Sequence, residues 1–232
     1  MQIWGQIFNW ANFFDGVPLN KKNMNIIVFG ATGLVGKQLV QQALLNGDTV
    51  KAFGRNVFSE FEPDTNNLQL IKGALFDEGE VAAAIKGSDA VLSALGGGFD
   101  GTDKTRTLGI KNIIAQMKKT NVKRIVAVGG MGILNANENS LIMDGEGFPK
   151  EYIPVCLEHQ KVYEYLKESN LDWTLVCPSE ILNQSATGEF ITKANYAPEP
   201  DKYKINAGDL ALFMLGELDK NNYIKERVGI SN

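Results

Sequence analysis

The chain has 232 residues, of which 44% are hydrophobic and 22% charged, and its formal net charge is −4. This composition predicts a globular protein that buries a full core, most simply as one α/β domain. The mildly acidic balance, without a basic run, argues against nucleic-acid binding, and no apolar run approaches the length of a membrane span.

The cysteine content argues against a disulfide framework and against a metal site. Only Cys156 and Cys177 are present, which is too few for a set of disulfides or for the ligands of a zinc ion. We therefore expect no bound metal and a reducing, cytoplasmic environment.

Residues 1–23 differ from the rest of the chain. Apolar side chains fall there at helical spacing, at Ile3, Trp4, Ile7, Phe8, Ala11 and Phe14. The polar face has no Lys or Arg to attract a membrane surface, and Met24 stands directly before the first strand. Two interpretations stay open: a non-native or mis-assigned leader, which we favour, or a helix that covers an apolar patch. We place the domain at 24–232 and expect a monomer, with a dimer through the extension as the alternative.

A glycine motif follows the first β-branched run and precedes a helix-forming run. Gly30, Gly33 and Gly36 are spaced G-x-x-G-x-x-G. The first allows a sharp turn off the strand, the second leaves the backbone open to a phosphate, and the third lets helix and strand pack closely. The helix N-terminus adds unpaired N–H groups for a pyrophosphate. This pattern predicts a dinucleotide site that includes Gly30, Thr32, Gly33, Leu34, Val35 and Gly36.

The end of the second strand indicates which dinucleotide is preferred. A domain that binds NAD usually ends this strand with Asp or Glu, which holds the ribose 2′-OH. Here Phe53 and Gly54 are followed by Arg55 and Asn56. A guanidinium can bind a 2′-phosphate through two parallel N–H groups, whereas a carboxylate would repel it. We therefore predict that Arg55 and Asn56 bind the cofactor and that NADPH is preferred over NADH.

The rest of the domain alternates apolar strands with helices. Strand candidates end near Phe29, Phe53, Ile71, Ala94, Val128 and Val176. This alternation predicts a Rossmann-type, doubly wound parallel sheet in a single domain, with a small C-terminal segment on the substrate side. Ligands of such folds bind at the carboxyl ends of the strands.

Small residues stand at several of these strand ends, where they would let a flat ring approach the backbone. Pro178 ends the sixth strand and makes the following turn rigid. We therefore add to the predicted cofactor contacts Ala94, Leu95, Gly96, Gly129, Gly130 and Pro178.

His159 is the only histidine, and it shares a helix face with Val162 and Leu166. It has two interpretations: a core residue, or a catalytic group that positions substrate or supplies a proton near the nicotinamide. Glu180 is a second, weaker candidate for a proton donor. Tyr163 and Lys167 have Y-x-x-x-K spacing, but the pair lies too near the helix end to act on the ring.

These motifs together resemble the atypical short-chain dehydrogenase/reductases. The resemblance extends from Met24 to about the end, and it is closest to the branch of flavin reductases and biliverdin-IXβ reductases, with NmrA-like redox sensors as wider relatives. It rests on the segments 30–36, 54–56, 89–96, 166–174 and 207–215. The resemblance implies an NADPH-binding Rossmann monomer that reduces flavins or tetrapyrroles, or a regulatory relative that only senses the cofactor. His159 falls where that branch also has a histidine.

Three residues depart from the family pattern. Gly130 replaces a serine implicated at the active site, Ala74 replaces an aspartate that contacts adenine, and Cys177 replaces an arginine frequent before the proline. Asp77 lies near Ala74 in sequence. Cofactor binding should survive these changes, so two hypotheses remain: an NADPH-dependent oxidoreductase passing hydride to a flavin, quinone or tetrapyrrole-like acceptor, and a non-catalytic NADPH/NADP sensor.

Overall fold

The computed structural model describes residues 23–62, 67–200 and 202–232. The amphipathic pattern between Ile3 and Phe14 therefore lies outside the described residues. Within the ranges that are described, no helix is both long enough and apolar enough to cross a membrane.

Twelve strands and six helices make up the described part of the chain. The strands are β1 (Asn25–Phe29), β2 (Thr49–Gly54), β3 (Leu68–Lys72), β4 (Ala90–Ser93), β5 (Arg124–Val128), β6 (Asn135–Asn137), β7 (Ser140–Leu141), β8 (Asp172–Pro178), β9 (Glu180–Leu182), β10 (Ile191–Ala194), β11 (Lys204–Asn206) and β12 (Glu226–Ser231). The helices are α1 (Leu34–Leu45), α2 (Val57–Glu60), α3 (Glu78–Ile85), α4 (Thr105–Thr120), α5 (Ile153–Glu168) and α6 (Ala207–Lys220).

Eight strands form one sheet in the order β10-β12-β8-β5-β4-β1-β2-β3. All neighbours are parallel except β10, which runs antiparallel to β12. The predicted doubly wound parallel sheet is confirmed. Small two-stranded sheets, β9 with β11 and β6 with β7, stand beside it.

The C-terminal segment contributes more to this sheet than the sequence indicated, because it supplies β10 and β12. Neither has a continuous apolar run: β12 contains Arg227 and Gly229, and β10 alternates exposed with half-buried residues. Gly229 is required by close packing, since a Cβ there would lie 2.2 Å from the carbonyl oxygen of Tyr196. Such a strand is recognisable only after its neighbours are in place.

Helices cover both faces of the sheet, and β1 shows how. Ile26 and Val28 point into a core shared with α1 and α6. Ile27 and Phe29 point into a second core shared with α3, α4 and α5. Because successive side chains of a strand face opposite ways, a strand that is buried on both faces reads as an uninterrupted apolar run.

The chain reverses direction across the sheet at β1, which lies between β2 and β4. The register pairs Phe29, the last residue of β1, with Phe53 of β2 and Ser93 of β4. The carboxyl ends of these three strands therefore lie side by side. A crevice at such a reversal is where open α/β sheets bind their ligands.

Candidate functional site

The loop between β1 and α1 is pressed closely against the end of β4. Gly30 has a φ of +75°, and a Cβ on it would lie 2.3 Å from the carbonyl oxygen of Ala94. A Cβ on Gly36 would lie 2.0 Å from the carbonyl oxygen of Gly30. No other residue type fits either position without moving the backbone, so the two glycines set how closely α1 approaches the strands.

Gly33 differs from its two neighbours in the motif, because it is exposed and the position of a Cβ on it is less crowded. A Cβ on it would meet only the carbonyl oxygen of Gly30, at 3.3 Å. No side chain caps α1, and the described part of the chain offers no acceptor to the N–H groups of Leu34, Val35 and Gly36. This open helix N-terminus suits an anionic group such as a pyrophosphate.

The end of β2 adjoins the glycine loop. A Cβ on Gly54 would lie 3.9 Å from Cγ2 of Thr32, so the two loops share one side of the crevice. Arg55 and Asn56 are exposed there. Among the described residues, none forms an ion pair or a side-chain hydrogen bond with Arg55.

An ion pair that the sequence did not reveal joins α1 to α2 at this point. Lys37 Nζ contacts Glu60 Oε2, and both side chains are partly exposed. The pair brings a second cation and a carboxylate to the side of the crevice where Arg55 lies. Sequence spacing alone does not indicate it, because 23 residues and a strand separate the two partners.

After the end of β3, the side chain of Glu80 brings a carboxylate to Ala74. Glu80 reaches back, and its Oε2 accepts a hydrogen bond of 2.6 Å from the backbone N–H of Ala74. Asp77 instead caps α3, accepting from the N–H of Glu80 at 2.8 Å. The carboxylate next to Ala74 therefore belongs to Glu80, because the capping bond holds Asp77 at the start of the helix.

A buried arginine holds the loop after β4. Arg106, at the start of α4, donates to the carbonyl oxygens of Gly98 at 2.8 Å and Gly97 at 2.9 Å. Asp103 accepts from the N–H groups of Gly98 at 3.0 Å and Thr105 at 2.8 Å. The hydrogen bonds from Thr105 and Gly98 lower the pKa of Asp103 to about 2. The loop is thus fixed by an ionised carboxylate and a guanidinium.

This fixed loop leaves space in front of the predicted contact Gly96. Gly96 is exposed, and nothing lies within 4 Å of the position of a Cβ on it. Ala94 and Leu95, which precede it, are half-buried, and the backbone N–H of Ala94 donates to the carbonyl oxygen of Phe29 at 2.9 Å. The carboxyl end of β4 is therefore open to a flat group.

At the end of β5, a histidine ring occupies the place of a missing side chain. A Cβ on Gly130 would lie 2.8 Å from Cδ2 of His159. A Cβ on Gly129 would lie 3.0 Å from Sγ of Cys177. Gly130 and His159 are therefore coupled, because a serine at position 130 would require the imidazole to move.

His159 is 9% exposed, and Nδ1 has no hydrogen-bond partner within the described residues. Burial, and then the nearby charge of Arg106, lower the pKa of His159 to about 3. The imidazole is consequently neutral, and it lies almost fully buried beside Gly130. This geometry favours the core interpretation over a group that supplies a proton.

The remaining candidates lie in different places. Pro178 is buried and ends β8, whereas Glu180 is exposed at the start of β9. Tyr163 packs edge-on against Trp173 at a ring distance of 5.8 Å, and Nζ of Lys167 lies 5.8 Å from the Tyr163 ring. Trp173 is the second residue of β8, so this pair lies near the amino end of the strand and away from the crevice.

Neither cysteine suits nucleophilic chemistry. Both are free and buried. Burial raises the pKa of Cys156 to about 11 and that of Cys177 to about 12, so both stay protonated thiols at neutral pH. Nowhere in 23–62, 67–200 or 202–232 do His, Cys, Asp and Glu side chains form a group that could hold a metal ion.

We predict different effects for substitutions at two glycines of the motif: one should abolish cofactor binding, and the other should lower stability. Gly33→Val should lower the stability less than Gly36→Ala but block an approaching phosphate, because Gly33 is exposed and its Cβ would meet only the carbonyl oxygen of Gly30, at 3.3 Å. Gly36→Ala should lower the free energy of unfolding by about 1–3 kcal/mol, because its Cβ would overlap the Gly30 carbonyl. Thermal unfolding with and without NADPH measures both effects. An undiminished ligand-induced shift in Gly33→Val would contradict the assignment of this loop.

We also predict that the buried imidazole of His159 makes the free energy of unfolding depend on pH. The unfolded chain binds a proton on this imidazole below about pH 6.5, whereas the folded protein resists protonation down to about pH 3. The contribution of this imidazole to the free energy of unfolding is therefore complete above pH 6.5. It is lost as pH falls, by about 1.4 kcal/mol per pH unit. Urea unfolding of the wild type and His159→Gln should show curves that are parallel above pH 6.5 and converge below it. Curves that stay parallel to pH 4 would mean that the imidazole is accessible.

Comparison with known proteins agrees with this geometry. A sequence model of an NAD(P)H-binding family matches residues 30–221. A candidate exported protein from Burkholderia pseudomallei is 32% identical, with a TM-score of 0.78 over 90% of this chain and 100% of that one. A candidate NADH-flavin reductase from Streptococcus pneumoniae TIGR4 is 28% identical, with a TM-score of 0.78 over 90% of this chain and 100% of that one.

A third similar structure belongs to a protein with a different candidate activity. A candidate epimerase from Bacteroides thetaiotaomicron is 28% identical, with a TM-score of 0.79 over 90% of this chain and 97% of that one. Reductases and an epimerase are thus found among similar folds, so the fold alone does not select a reaction. The family match spans more than half of the chain and includes the glycine loop and the strand ends around it. The chain belongs to the NAD(P)H-binding family.

Proposed function

We propose that this protein is an NADPH-dependent oxidoreductase that passes hydride to a flavin, quinone or tetrapyrrole-like acceptor. The observation that carries the proposal is the crevice itself. It joins the open N-terminus of α1 to a strand end that is free of side chains in front of Gly96. Membership of the NAD(P)H-binding family and similarity to a candidate NADH-flavin reductase support the proposal.

Each part of the crevice has a proposed role in holding the cofactor. The glycine loop and the N–H groups of Leu34, Val35 and Gly36 bind the pyrophosphate. Arg55 binds the 2′-phosphate, and Asn56 lies beside it. NADPH, when bound, supplies a hydride from C4 of its nicotinamide. The ring is proposed to rest against residues at the strand ends, namely Ala94, Leu95, Gly96, Gly129, Gly130 and Pro178.

A flat conjugated acceptor is the substrate class that these strand ends favour. Transfer of hydride to such a ring requires little of the protein beyond stacking the two rings and excluding water. Gly96 and Gly130 present backbone rather than side chains, and His159 is neutral and lies buried beside Gly130. A carbonyl reductase would need a proton donor at the end of β5, where this chain has two glycines.

The same observation favours a second candidate function, a protein that binds NADPH or NADP and reports their ratio without turnover. A sensor needs the glycine loop and Arg55 but no catalytic donor. The two proposals share cofactor binding and differ in whether bound NADPH is oxidised. We place the reductase first because hydride transfer to a conjugated ring needs no proton donor from the protein and because a similar solved structure is a candidate NADH-flavin reductase.

The proposal also includes the cellular compartment and the oligomeric state. Free, buried cysteines are compatible with a reducing compartment, and we propose the cytoplasm. We propose that residues 24–232 form the working unit as a monomer. The alternative is a dimer formed through residues 1–23.

Single-turnover oxidation of NADPH tests the reductase proposal. Absorbance of the nicotinamide at 340 nm should decay when FMN, FAD, menadione or biliverdin is mixed with the protein and one equivalent of NADPH. His159→Ala should slow the decay by at most about tenfold, or about 1.4 kcal/mol in the barrier, because the imidazole acts through packing. Tight NADPH binding without oxidation by any acceptor would favour the sensor. A loss of several thousandfold in His159→Ala at unchanged stability would make His159 an acid catalyst.

Arg55→Ala tests the proposed cofactor preference. The wild type should bind NADPH more tightly than NADH by about 1.5–3 kcal/mol, the value of a hydrogen bond to a charged group. The variant should lose most of this difference while its affinity for NADH changes little, because Arg55 is exposed and makes no other contact within the described chain. Titration of nicotinamide fluorescence measures both constants. Equal affinity of the wild type for the two cofactors would contradict the preference.

A further inference from the structure

The ion pair between Lys37 and Glu60 lies where the adenosine end of a dinucleotide would enter the crevice. Lys37 is in the second turn of α1, one residue after the glycine motif, and Glu60 ends α2. Arg55 lies five residues before Glu60 in the chain, between β2 and α2. The contact between Thr32 and Gly54 joins the two loops below the pair. Two cations and one carboxylate therefore surround one side of the crevice.

We propose that Lys37 is a second ligand of the cofactor's 2′-phosphate. When the phosphate binds, Lys37 breaks its ion pair with Glu60 and pairs with the phosphate instead. This inference rests on the proposed use of NADPH and adds the residues that set the degree of preference. In the free protein Lys37 pairs with the carboxylate, and in the complex it pairs with the phosphate. The exchange of partners makes Glu60 a competitor of the phosphate.

The exposure of the pair makes this exchange favourable. The side chains of Lys37 and Glu60 are 47% and 35% exposed, so water screens their attraction and little is lost when they separate. A phosphate monoester carries nearly two negative charges at neutral pH and offers three acceptor oxygens. Lys37 therefore gains a stronger partner than the one it leaves, and its long flexible side chain can change direction without moving α1.

Glu60 has the opposite effect on the two cofactors. Its carboxylate repels a 2′-phosphate, whereas it can accept a hydrogen bond from the ribose 2′-OH of NADH. Other charged residues beside these elements are Arg55, Glu62 and Lys72, all exposed, and Lys72 is the strand partner of Gly54 in the sheet. The preference is thus a balance between Arg55 and Lys37 on one side and Glu60 on the other.

Calorimetry with two cofactor fragments tests this balance without requiring turnover. The probes are 2′,5′-ADP, which has the 2′-phosphate, and 5′-AMP, which lacks it and is otherwise identical. Lys37→Met should weaken binding of 2′,5′-ADP by about tenfold, the scale of one charge-assisted contact, and change binding of 5′-AMP by less than about twofold. Glu60→Gln should tighten binding of 2′,5′-ADP by about three- to fivefold and leave binding of 5′-AMP unchanged or slightly weaker.

The chain contains a matched control pair of the same type. Lys161 and Glu164 form an exposed ion pair of 2.7 Å on α5, which packs on the opposite face of the sheet from α1. Lys161→Met and Glu164→Gln change net charge by the same amounts as the test variants. Neither should alter the affinity for either probe, which separates a local contact from an effect of overall charge.

Two further outcomes would overturn the inference. Equal weakening of both probes by Lys37→Met would make Lys37 a ligand of the 5′-phosphate that they share, and an unchanged affinity of Glu60→Gln for 2′,5′-ADP would remove Glu60 from the balance. The Arg55→Ala variant distinguishes failure of this inference from failure of the proposed function. If the wild type prefers 2′,5′-ADP through Arg55 but not through Lys37, only the inference fails. If the wild type binds the two probes equally, the inference and the NADPH preference fail together.

Discussion

Close packing of the start of α1 against the ends of β1 and β4 is the constraint on which the crevice depends. A Cβ on Gly36 would lie 2.0 Å from the carbonyl oxygen of Gly30, and one on Gly30 would lie 2.3 Å from that of Ala94. These contacts bring the helix N-terminus level with the strand ends and expose its free N–H groups. They also place Lys37 within reach of Glu60. Binding of an anion at this point is therefore a consequence of backbone packing more than of any side chain.

A second coupling shapes the other half of the crevice. His159 fills the space beside Gly130, and Arg106 holds the loop at Gly97 and Gly98 while its charge helps to keep the imidazole neutral. The imidazole of His159 thus occupies the space that a serine side chain at position 130 would need. A site built in this way presents backbone to a ring and relies on the bound cofactor for reactivity. That arrangement suits hydride transfer to a conjugated acceptor and equally suits a sensor.

The main features of the fold could be predicted from the sequence because each has a local cause. Six strands were recognisable as short apolar runs, and the structure confirms them as parallel neighbours. The strand β12 was missed because Arg227 and Gly229 interrupt its apolar pattern, and β10 was missed because its residues alternate between exposed and half-buried. Arg227 is tolerated inside the protein because it donates to the carbonyl oxygen of Ile133 and to Asn135. Those partners lie more than ninety residues away, where no local pattern can indicate them.

The sequence by itself determined the glycine loop, the exposed Arg55 at the end of β2 and the family, because strand, turn and helix are adjacent in the chain. Tertiary structure alone decided which charges meet. Glu80 rather than Asp77 stands beside Ala74, because the capping bond engages the nearer carboxylate. Glu60 reaches Lys37 because α2 follows the end of β2, which lies beside the glycine loop. His159 is a neutral, buried ring because α5 packs behind β5. Desolvation and pairing depend on neighbours that only the folded chain brings together.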